Sequence, residues 1–229
     1  MSWLPLRIAT LLALLACGLL LACGDSDEQA AETTPTPEPV SPVQAAGCEQ
    51  VEAPAPKEDA DLPKPSERLK RGQTYAASVA TSCGDFEITL DSSRAPRTGG
   101  SFKYLADKGF YDGLTFHRIV SGFVIQGGDP AGDGSGGPGY SVVEAPPGGL
   151  TYPKGVVAMA KTQTERPGTS GSQFFVVTAE DAQLPPDYAL LGKVTKGQEV
   201  VDRIGVLPTT AEEQPAEPVV IRSVDVAAG

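Results

Sequence analysis

The chain has 229 residues and carries 18 Lys plus Arg against 29 Asp plus Glu, which gives a formal net charge of -11. This acidic balance argues against nucleic acid and anionic lipid headgroups as main partners, because both bind basic surfaces. The single histidine and the four cysteines have no CxxC or histidine-rich spacing, so no metal site is expected.

The N-terminus has the layout of an export signal. Arg7 precedes an apolar run, residues 8–22, which is shorter than the roughly 20 residues of a transmembrane helix. The run ends in Leu-Leu-Ala before Cys23, which resembles the bacterial lipobox, and the same pattern also fits at Cys17. We favour Cys23 as the lipidated residue, because lipidation at Cys17 would leave further apolar residues on the mature protein. Residues 1–22 are therefore predicted to be a lipoprotein signal peptide, with an ordinary secretion signal or an uncleaved short anchor as alternatives.

A stretch rich in proline, alanine and glutamate follows, covering residues 23–74. Segments such as TPTPEPVSPV have no apolar period and cannot bury enough surface to offset the entropy of ordering. Proline also favours extended backbone, at roughly 3.1 Å per residue. We therefore predict a disordered tether that separates a folded domain from the membrane by several tens of ångströms.

The cysteines support export. If Cys17 is removed with the signal and Cys23 is acylated, only Cys48 and Cys83 remain. An even pair of cysteines in an oxidising compartment favours a disulfide, which would fasten the second half of the tether to the domain. Two free thiols are the alternative, because the sequence determines neither the distance nor the geometry.

Residues 75–229 contain the periodic segments of a single folded domain. Alternation of apolar and polar residues, clearest in residues 86–91, predicts β-strands. The eight predicted strands are residues 75–80, 86–91, 116–120, 123–126, 156–160, 174–178, 189–194 and 219–226. Helical spacing predicts two helices, residues 96–109 and 197–204. From the pattern alone, the domain is all-β and forms either a closed barrel or a sandwich.

Two motifs of other enzyme and binding classes fail on their context. Residues 132–137 contain GxGxxG, but Pro138-Gly139-Tyr140 follows, a segment that cannot open the helix that phosphate binding needs. Residues 168–172 miss the GxSxG nucleophile motif at its last position. A hydrolase would also have to use His117, whose strand parity opposite Arg118 indicates a structural histidine.

Residues 114–129 have the densest set of chemically informative side chains in the domain. FHRIVSGFVIQGGDP, the later MAKTQTERPGTSGSQFFVV and then ALLGKV occur in this order and together resemble the cyclophilin family of peptidyl-prolyl isomerases. The resemblance covers roughly residues 75–226. It implies a closed eight-stranded antiparallel barrel capped by two helices, with a peptide groove on its outer surface.

The resemblance also implies a reaction and the residues that perform it. An X-Pro bond isomerises over a barrier of roughly 20 kcal/mol, and its nitrogen accepts a hydrogen bond only in the twisted transition state. Arg118 would donate there without losing its own proton, Gln126 would help orient it or bind the substrate carbonyl, and no cofactor is needed. The other implied groove residues are Phe123, Val124, Met159, Phe175 and Leu184 around the proline ring, the backbone of Ala160 and Lys161 along the peptide, and Gln173 and Tyr188 as walls.

Several residues depart from the commonest eukaryotic pattern of the family. Val124, Lys161 and Tyr188 replace methionine, asparagine and histidine, and Gln183 stands where tryptophan is frequent. Gly99-Gly100 inside the first predicted helix departs as well and should cost roughly 1 kcal/mol per glycine relative to alanine. The groove changes affect its depth and charge preference more than the type of reaction.

The sequence therefore predicts a monomeric peptidyl-prolyl isomerase that binds proline-containing segments of exported proteins and assists their folding. A lipid on Cys23 would hold it outside the cytoplasmic membrane. The alternative is a peptide-binding chaperone or scaffold with little turnover. The complete set of Arg118, Phe123, Gln126 and Phe175 favours the enzyme.

Overall fold

A computed structural model describes residues 47–58 and 60–229, all within the larger compact unit of the chain, Pro39–Gly229. The predicted signal peptide, the predicted lipidation at Cys23 and the first part of the predicted tether lie outside the described residues. Within the two described ranges, no helix combines the length and the apolar character needed to span a bilayer.

The described part of the chain contains ten strands and two helices. The strands are β1 (Tyr75–Thr81), β2 (Gly84–Leu90), β3 (Arg118–Val120), β4 (Val124–Gly127), β5 (Val142–Val143), β6 (Val156–Met159), β7 (Thr169–Ser170), β8 (Phe174–Val177), β9 (Leu190–Lys196) and β10 (Ile221–Ala228). The helices are α1 (Pro96–Asp107) and α2 (Gln198–Ile204). The eight strands and two helices predicted from the sequence are all present, whereas the short strands β5 and β7 were not predicted.

Eight strands form one antiparallel sheet, in the order β10-β1-β2-β9-β6-β8-β4-β3. The fold is mainly β, as predicted, but the sheet curls into a half-barrel whose edge strands β3 and β10 do not pair, so the predicted closure is wrong. The gap between β3 and β10 forms an open seam, which is crossed by single backbone hydrogen bonds such as that from Phe116 N–H to Val219 O at 2.9 Å. The segment before β10 contains Pro215 and Pro218, which have no N–H to donate and do not extend the β10 ladder along β3.

Strand parity separates the interior of the half-barrel from its groove face. In β8, the ring of Phe174 lies in the main core and meets Phe102 of α1 edge-on, with centroids 5.7 Å apart. The next residue, Phe175, belongs to a second apolar cluster with Val124 and Tyr152. Successive strand residues point to opposite faces of a sheet, so β8 contributes to both clusters.

Residues 47–58 and 60–74, here named the N-terminal strap, form no helix or strand but lie against the domain. Leu69 is 4% exposed and belongs to the main core. Its N–H donates to the carbonyl of Pro96, the first residue of α1, at 2.9 Å. The predicted disorder up to residue 74 therefore does not hold for the strap, because Leu69 buries enough apolar surface against α1 to fix its end.

The glycine pair of α1 makes room for this contact. A β-carbon on Gly99 would lie 2.4 Å from Leu69 Cδ1, and one on Gly100 would lie 2.5 Å from the carbonyl oxygen of Glu67. Contacts this short do not occur, so any larger residue at Gly100 would have to displace the backbone of the strap. The strap thus gives a physical reason for two glycines that helix propensity alone disfavours.

A disulfide fixes the other end of the strap. It joins Cys48 to Cys83, in the turn between β1 and β2, with the two Cα atoms 4.0 Å apart. Glu49 N–H donates to Ser82 O beside it at 2.8 Å, and Arg203 Nη1 of α2 donates to Cys83 O at 2.7 Å. The bond that the sequence left open against free thiols is therefore present in the structure, and both sulfur-bearing residues are buried.

Candidate active site

Arg118 and Gln126 lie directly opposite each other in the hairpin of β3 and β4. Opposed residues of an antiparallel pair share one face, which brings the two side chains together. Arg118 Nη1 donates to Gln126 Oε1 at 3.3 Å. The structure thus joins the two residues that the resemblance assigns to catalysis.

The amide of Gln126 is held on its other side. Its Nε2 donates to Gln173 Oε1 at 3.0 Å, and Gln173 Nε2 donates to the carbonyls of Gly134 and Gly136 at 2.9 and 3.0 Å. These bonds leave Gln126 one orientation, with its oxygen toward Arg118. The glycine-rich loop therefore offers backbone carbonyls to the site, which agrees with its rejection as a phosphate-binding motif.

A carboxylate that the sequence did not indicate completes this network. Arg118 Nε donates to Glu213 Oε2 at 2.6 Å, and the two side chains are 38% and 44% exposed. The residues are 95 positions apart, and Glu213 lies in the irregular segment before β10. Neither a motif nor a strand period connects it to Arg118, so local sequence patterns carry no signal for the contact.

An open cavity of about 270 Å³ lies beside Arg118. Its other lining residues are Phe123, Val124, Gln126, Ala160, Lys161, Gln163, Phe175, Leu184 and Tyr188. Apolar and aromatic side chains next to a few convergent polar groups are typical of a small binding pocket. The resemblance implied all of these lining residues except Gln163.

Met159 is not in this cavity, although the resemblance assigned it to the proline pocket. It pairs with Phe174 of β8 and packs in the main core. Its neighbour Ala158 pairs with Phe175 and belongs to the second cluster, beneath the cavity. The parity of β6 therefore turns the methionine inward, and its assignment to the groove is wrong.

Ala160 and Lys161, the two residues after Met159, border the groove. Ala160 N–H donates to Gln173 O at 2.9 Å, so a bound peptide could use only the carbonyl of Ala160. Lys161 Nζ lies 5.5 Å from the ring centroid of Tyr188 and donates to the carbonyl of Glu165 at 3.1 Å. A positive charge thus stands at the groove edge, where the commonest pattern of the family has a neutral amide.

Tyr188 forms an aromatic wall of the cavity. Its ring meets Phe175 edge-on, with centroids 5.4 Å apart and planes at 89°. The hydroxyl of Tyr152 donates to Tyr188 O at 2.8 Å. Burial raises the pKa of Tyr152 to about 12, so this hydroxyl stays protonated and keeps donating at any physiological pH.

His117 lies in the interior and does not line the cavity beside Arg118. Burial lowers the pKa of His117, and the nearby carboxylate of Asp129 opposes that shift without cancelling it. The imidazole is therefore neutral near pH 7. This position supports the structural role that strand parity indicated.

Sequence comparison identifies the family of this domain. A family model described as cyclophilin type peptidyl-prolyl cis-trans isomerase/CLD matches residues 76–226. Peptidyl-prolyl cis-trans isomerase-like 1 of Neurospora crassa is 42% identical over 147 residues, which cover 62% of this chain and 88% of that protein. Peptidyl-prolyl cis-trans isomerase B of Streptomyces anulatus is 41% identical over 173 residues, covering 66% and 95%.

Solved structures agree with this assignment. A cyclophilin type peptidyl-prolyl cis-trans isomerase of Cryptosporidium parvum has a TM-score of 0.64 and 29% identity, covering 68% of this chain and 99% of that chain. Its structure in the presence of the dipeptide Ala-Pro has a TM-score of 0.63 and 30% identity, covering 67% and 99%. The chain therefore belongs to the cyclophilin family and is a cyclophilin-type peptidyl-prolyl cis-trans isomerase.

Proposed function

We propose that this isomerase acts, as a monomer, on X-Pro bonds of exported proteins while a lipid on Cys23 anchors it outside the cytoplasmic membrane. Two features support this proposal. Residues 8–22 form an apolar run that ends in Leu-Leu-Ala before Cys23. The disulfide between Cys48 and Cys83 suits an oxidising compartment, since such bonds are rare where thiols are kept reduced.

Arg118 is the proposed catalytic donor, and one observation carries this assignment. Its guanidinium borders the apolar cavity beside Phe123 and Phe175 and is held by Gln126. When an X-Pro amide twists, its nitrogen loses conjugation and becomes a better acceptor, so a donor at this place binds the transition state more strongly than the ground state. Arginine keeps its protons at physiological pH, which suits a reaction without net proton transfer.

Proline-containing segments of unfolded chains are the proposed substrates. A relative from Cryptosporidium parvum was solved in the presence of Ala-Pro, which supports a proline ring as the occupant of the corresponding cavity here. In this chain the ring would lie against Phe123, Phe175 and Leu184, with Arg118 beside the isomerising bond. Lys161 at the groove edge would contact the peptide through its backbone.

An assay of folding tests the substrate part of the proposal. The full-length protein in detergent should accelerate the proline-limited refolding of a secreted, disulfide-free protein and the isomerisation of a chromogenic proline peptide. Turnover of the peptide with no acceleration of refolding would contradict folding assistance. Peptide binding without turnover would instead favour the chaperone or scaffold role.

Lipid labelling tests the anchor. In a bacterial host fed a labelled fatty acid, the wild-type protein should carry label and sediment with membranes. Cys23→Ser should lose both properties, whereas the matched variant Cys17→Ser should keep them, because only Cys23 is the proposed acceptor. Retention of label by Cys23→Ser, or its loss in Cys17→Ser, would contradict the anchor at Cys23.

A further inference from the structure

The guanidinium of Arg118 is held from two sides. Its Nε donates to Glu213 Oε2 at 2.6 Å, and its Nη1 donates to Gln126 Oε1 at 3.3 Å. A guanidinium has five N–H groups in one plane, so two bonds in different directions fix both the position and the rotation of that plane. Three N–H groups, including both on Nη2, stay available for a substrate.

Glu213 is itself fixed by its backbone. Its carbonyl accepts from the N–H of Ile119, the residue after Arg118, at 2.8 Å, and its own N–H donates to Thr210 O at 3.1 Å. These two hydrogen bonds hold Glu213 beside the edge strand β3, across the open seam of the sheet. Glu213 therefore belongs to a turn that is hydrogen-bonded to β3 at the residue next to Arg118.

The backbone conformation at Glu213 is a second observation. Its φ is +64°, in the left-handed region, which costs a residue with a β-carbon roughly 1 to 2 kcal/mol. Glycine would adopt this conformation without that cost. Residues in such conformations tend to lie at functional sites, where the side chain has a task that offsets the strain. Here the side chain bonds the proposed catalytic donor.

We propose that Glu213 is a positioning residue of the isomerase reaction, which holds Arg118 in the orientation from which it donates to the twisting amide. This inference rests on the proposed role of Arg118. Both side chains are more than a third exposed, and exposed ion pairs contribute little to stability. The contact therefore acts mainly on orientation, since a donor held in the reactive geometry saves the cost of ordering it in the transition state.

The expected effect is smaller than that of losing Arg118 itself. Without the carboxylate, the guanidinium keeps its charge and its bond to Gln126, but it can rotate about that single contact. We expect kcat to fall about 5-fold and KM to change less than about 2-fold, because the orientation matters in the transition state and not in peptide binding.

Two variants of Glu213 separate the side chain from the backbone. Glu213→Gln keeps the shape and removes the charge, whereas Glu213→Gly removes the side chain and suits the left-handed backbone. Glu212→Gln is the matched control, because it removes the same charge from an exposed neighbouring residue. Proline-peptide kinetics and thermal unfolding of the full-length protein should show a lower kcat for both Glu213 variants, a melting temperature within about 2 °C of the wild type, and no change for Glu212→Gln.

A spectroscopic measurement reports the contact directly. The Nε–H resonance of Arg118, identified by its loss in Arg118→Lys, should shift and exchange faster with water in both Glu213 variants but not in Glu212→Gln. Unchanged kcat in both Glu213 variants, while Arg118→Lys is impaired, would overturn the role of Glu213 and leave that of Arg118 intact. Full activity of Arg118→Ala would overturn the proposed role of Arg118 and this inference with it.

Discussion

The groove around Arg118 and the N-terminal strap are both built from residues far apart in sequence, yet they rely on different interactions. In the groove, Arg118, Gln126 and Glu213 form a polar network in which Arg118 and Glu213 remain more than a third exposed. In the strap, Leu69 is buried in the core and a disulfide fixes Cys48. The groove lies within the residues that match the family, whereas the strap precedes them.

This difference teaches that catalysis and stability depend on separate parts of the molecule. An exposed polar network contributes little to the free energy of folding, because water offers the same groups alternative partners. A buried apolar side chain and a covalent crosslink act on that free energy directly. Changes in the groove should therefore alter rate at constant stability, and changes in the strap should do the reverse.

The largest expected effect is that of Arg118→Ala on catalysis. Loss of the donor should lower kcat/KM about 10²-fold or more, while the unfolding free energy changes by about 1 kcal/mol or less. A protease-coupled proline-peptide assay and a thermal melt measure the two quantities. Arg94→Ala is the control, because it removes the same charge from an exposed ion pair with Asp91 that lies outside the groove. An active Arg118→Ala with an unchanged melting point would show that catalysis depends on other residues.

Removal of the disulfide should have the next largest effect, and this effect should be on the free energy of unfolding. A crosslink between residues separated by 35 positions restricts the unfolded chain, and this loss of chain entropy corresponds to a stabilisation of about 4 kcal/mol. We expect about 2 kcal/mol for Cys48→Ala combined with Cys83→Ala, because the strap end near Cys48 also gains freedom in the folded state. Urea unfolding measures the change, and kcat/KM should stay within about 2-fold.

Thiol chemistry and proteolysis check the same bond. Alkylation of the exported wild-type protein without reduction should label neither Cys48 nor Cys83. In the double variant, proteases should cut the strap near Cys48 first, while Leu69 remains protected by the core. Labelling of both thiols in the wild type would refute the disulfide, and equal protease resistance of the two proteins would refute its role in fixing the strap.

A smaller effect is expected for Gly100→Ala. The new β-carbon would push against the strap backbone at Glu67, at a cost of about 1 to 3 kcal/mol, while the better helix propensity of alanine returns about 1 kcal/mol. We expect a net loss of about 1 kcal/mol in urea unfolding and faster tryptic cleavage of the strap. Gly148→Ala, which would meet no atom within 4 Å, is the control. A stabilised Gly100→Ala would mean that the strap does not rest on α1.

The smallest expected effect concerns His117. This residue precedes Arg118 in the chain, but its side chain is buried and should affect stability rather than catalysis. Burial lowers its pKa below the value near 6.5 of an exposed histidine, so the unfolded state takes up the proton first as pH falls. The contribution of His117 to the free energy of unfolding should be fully present above the unfolded-state pKa near 6.5. It should be lost as the pH falls through the lower pKa of the folded state. Because the chain has one histidine, His117→Gln should flatten this decline in urea titrations between about pH 5 and 7. If the slope of stability against pH is unchanged in His117→Gln, the decline arises from carboxylates instead.

The sequence by itself determined the parts of this protein that depend on local pattern. Alternation of apolar and polar residues located β2, and short apolar runs located strands such as β6 and β8, which are buried on both faces. The same parity assigned His117 and Arg118 to opposite faces of one strand. The motif around Arg118 and Gln126 also carried the family, because the two residues lie in one hairpin.

Only the tertiary structure decided what depends on contacts between distant segments. A period of two residues allows either face of β6 to be the inner one, and its pairing with β8 turned Met159 into the core. Gly99 and Gly100 lower helix propensity locally, and only the strap packed against them gives a reason for their presence. Glu213 reaches Arg118 across a seam that exists because the sheet does not close. Such contacts depend on how the whole sheet curls, which no local pattern specifies.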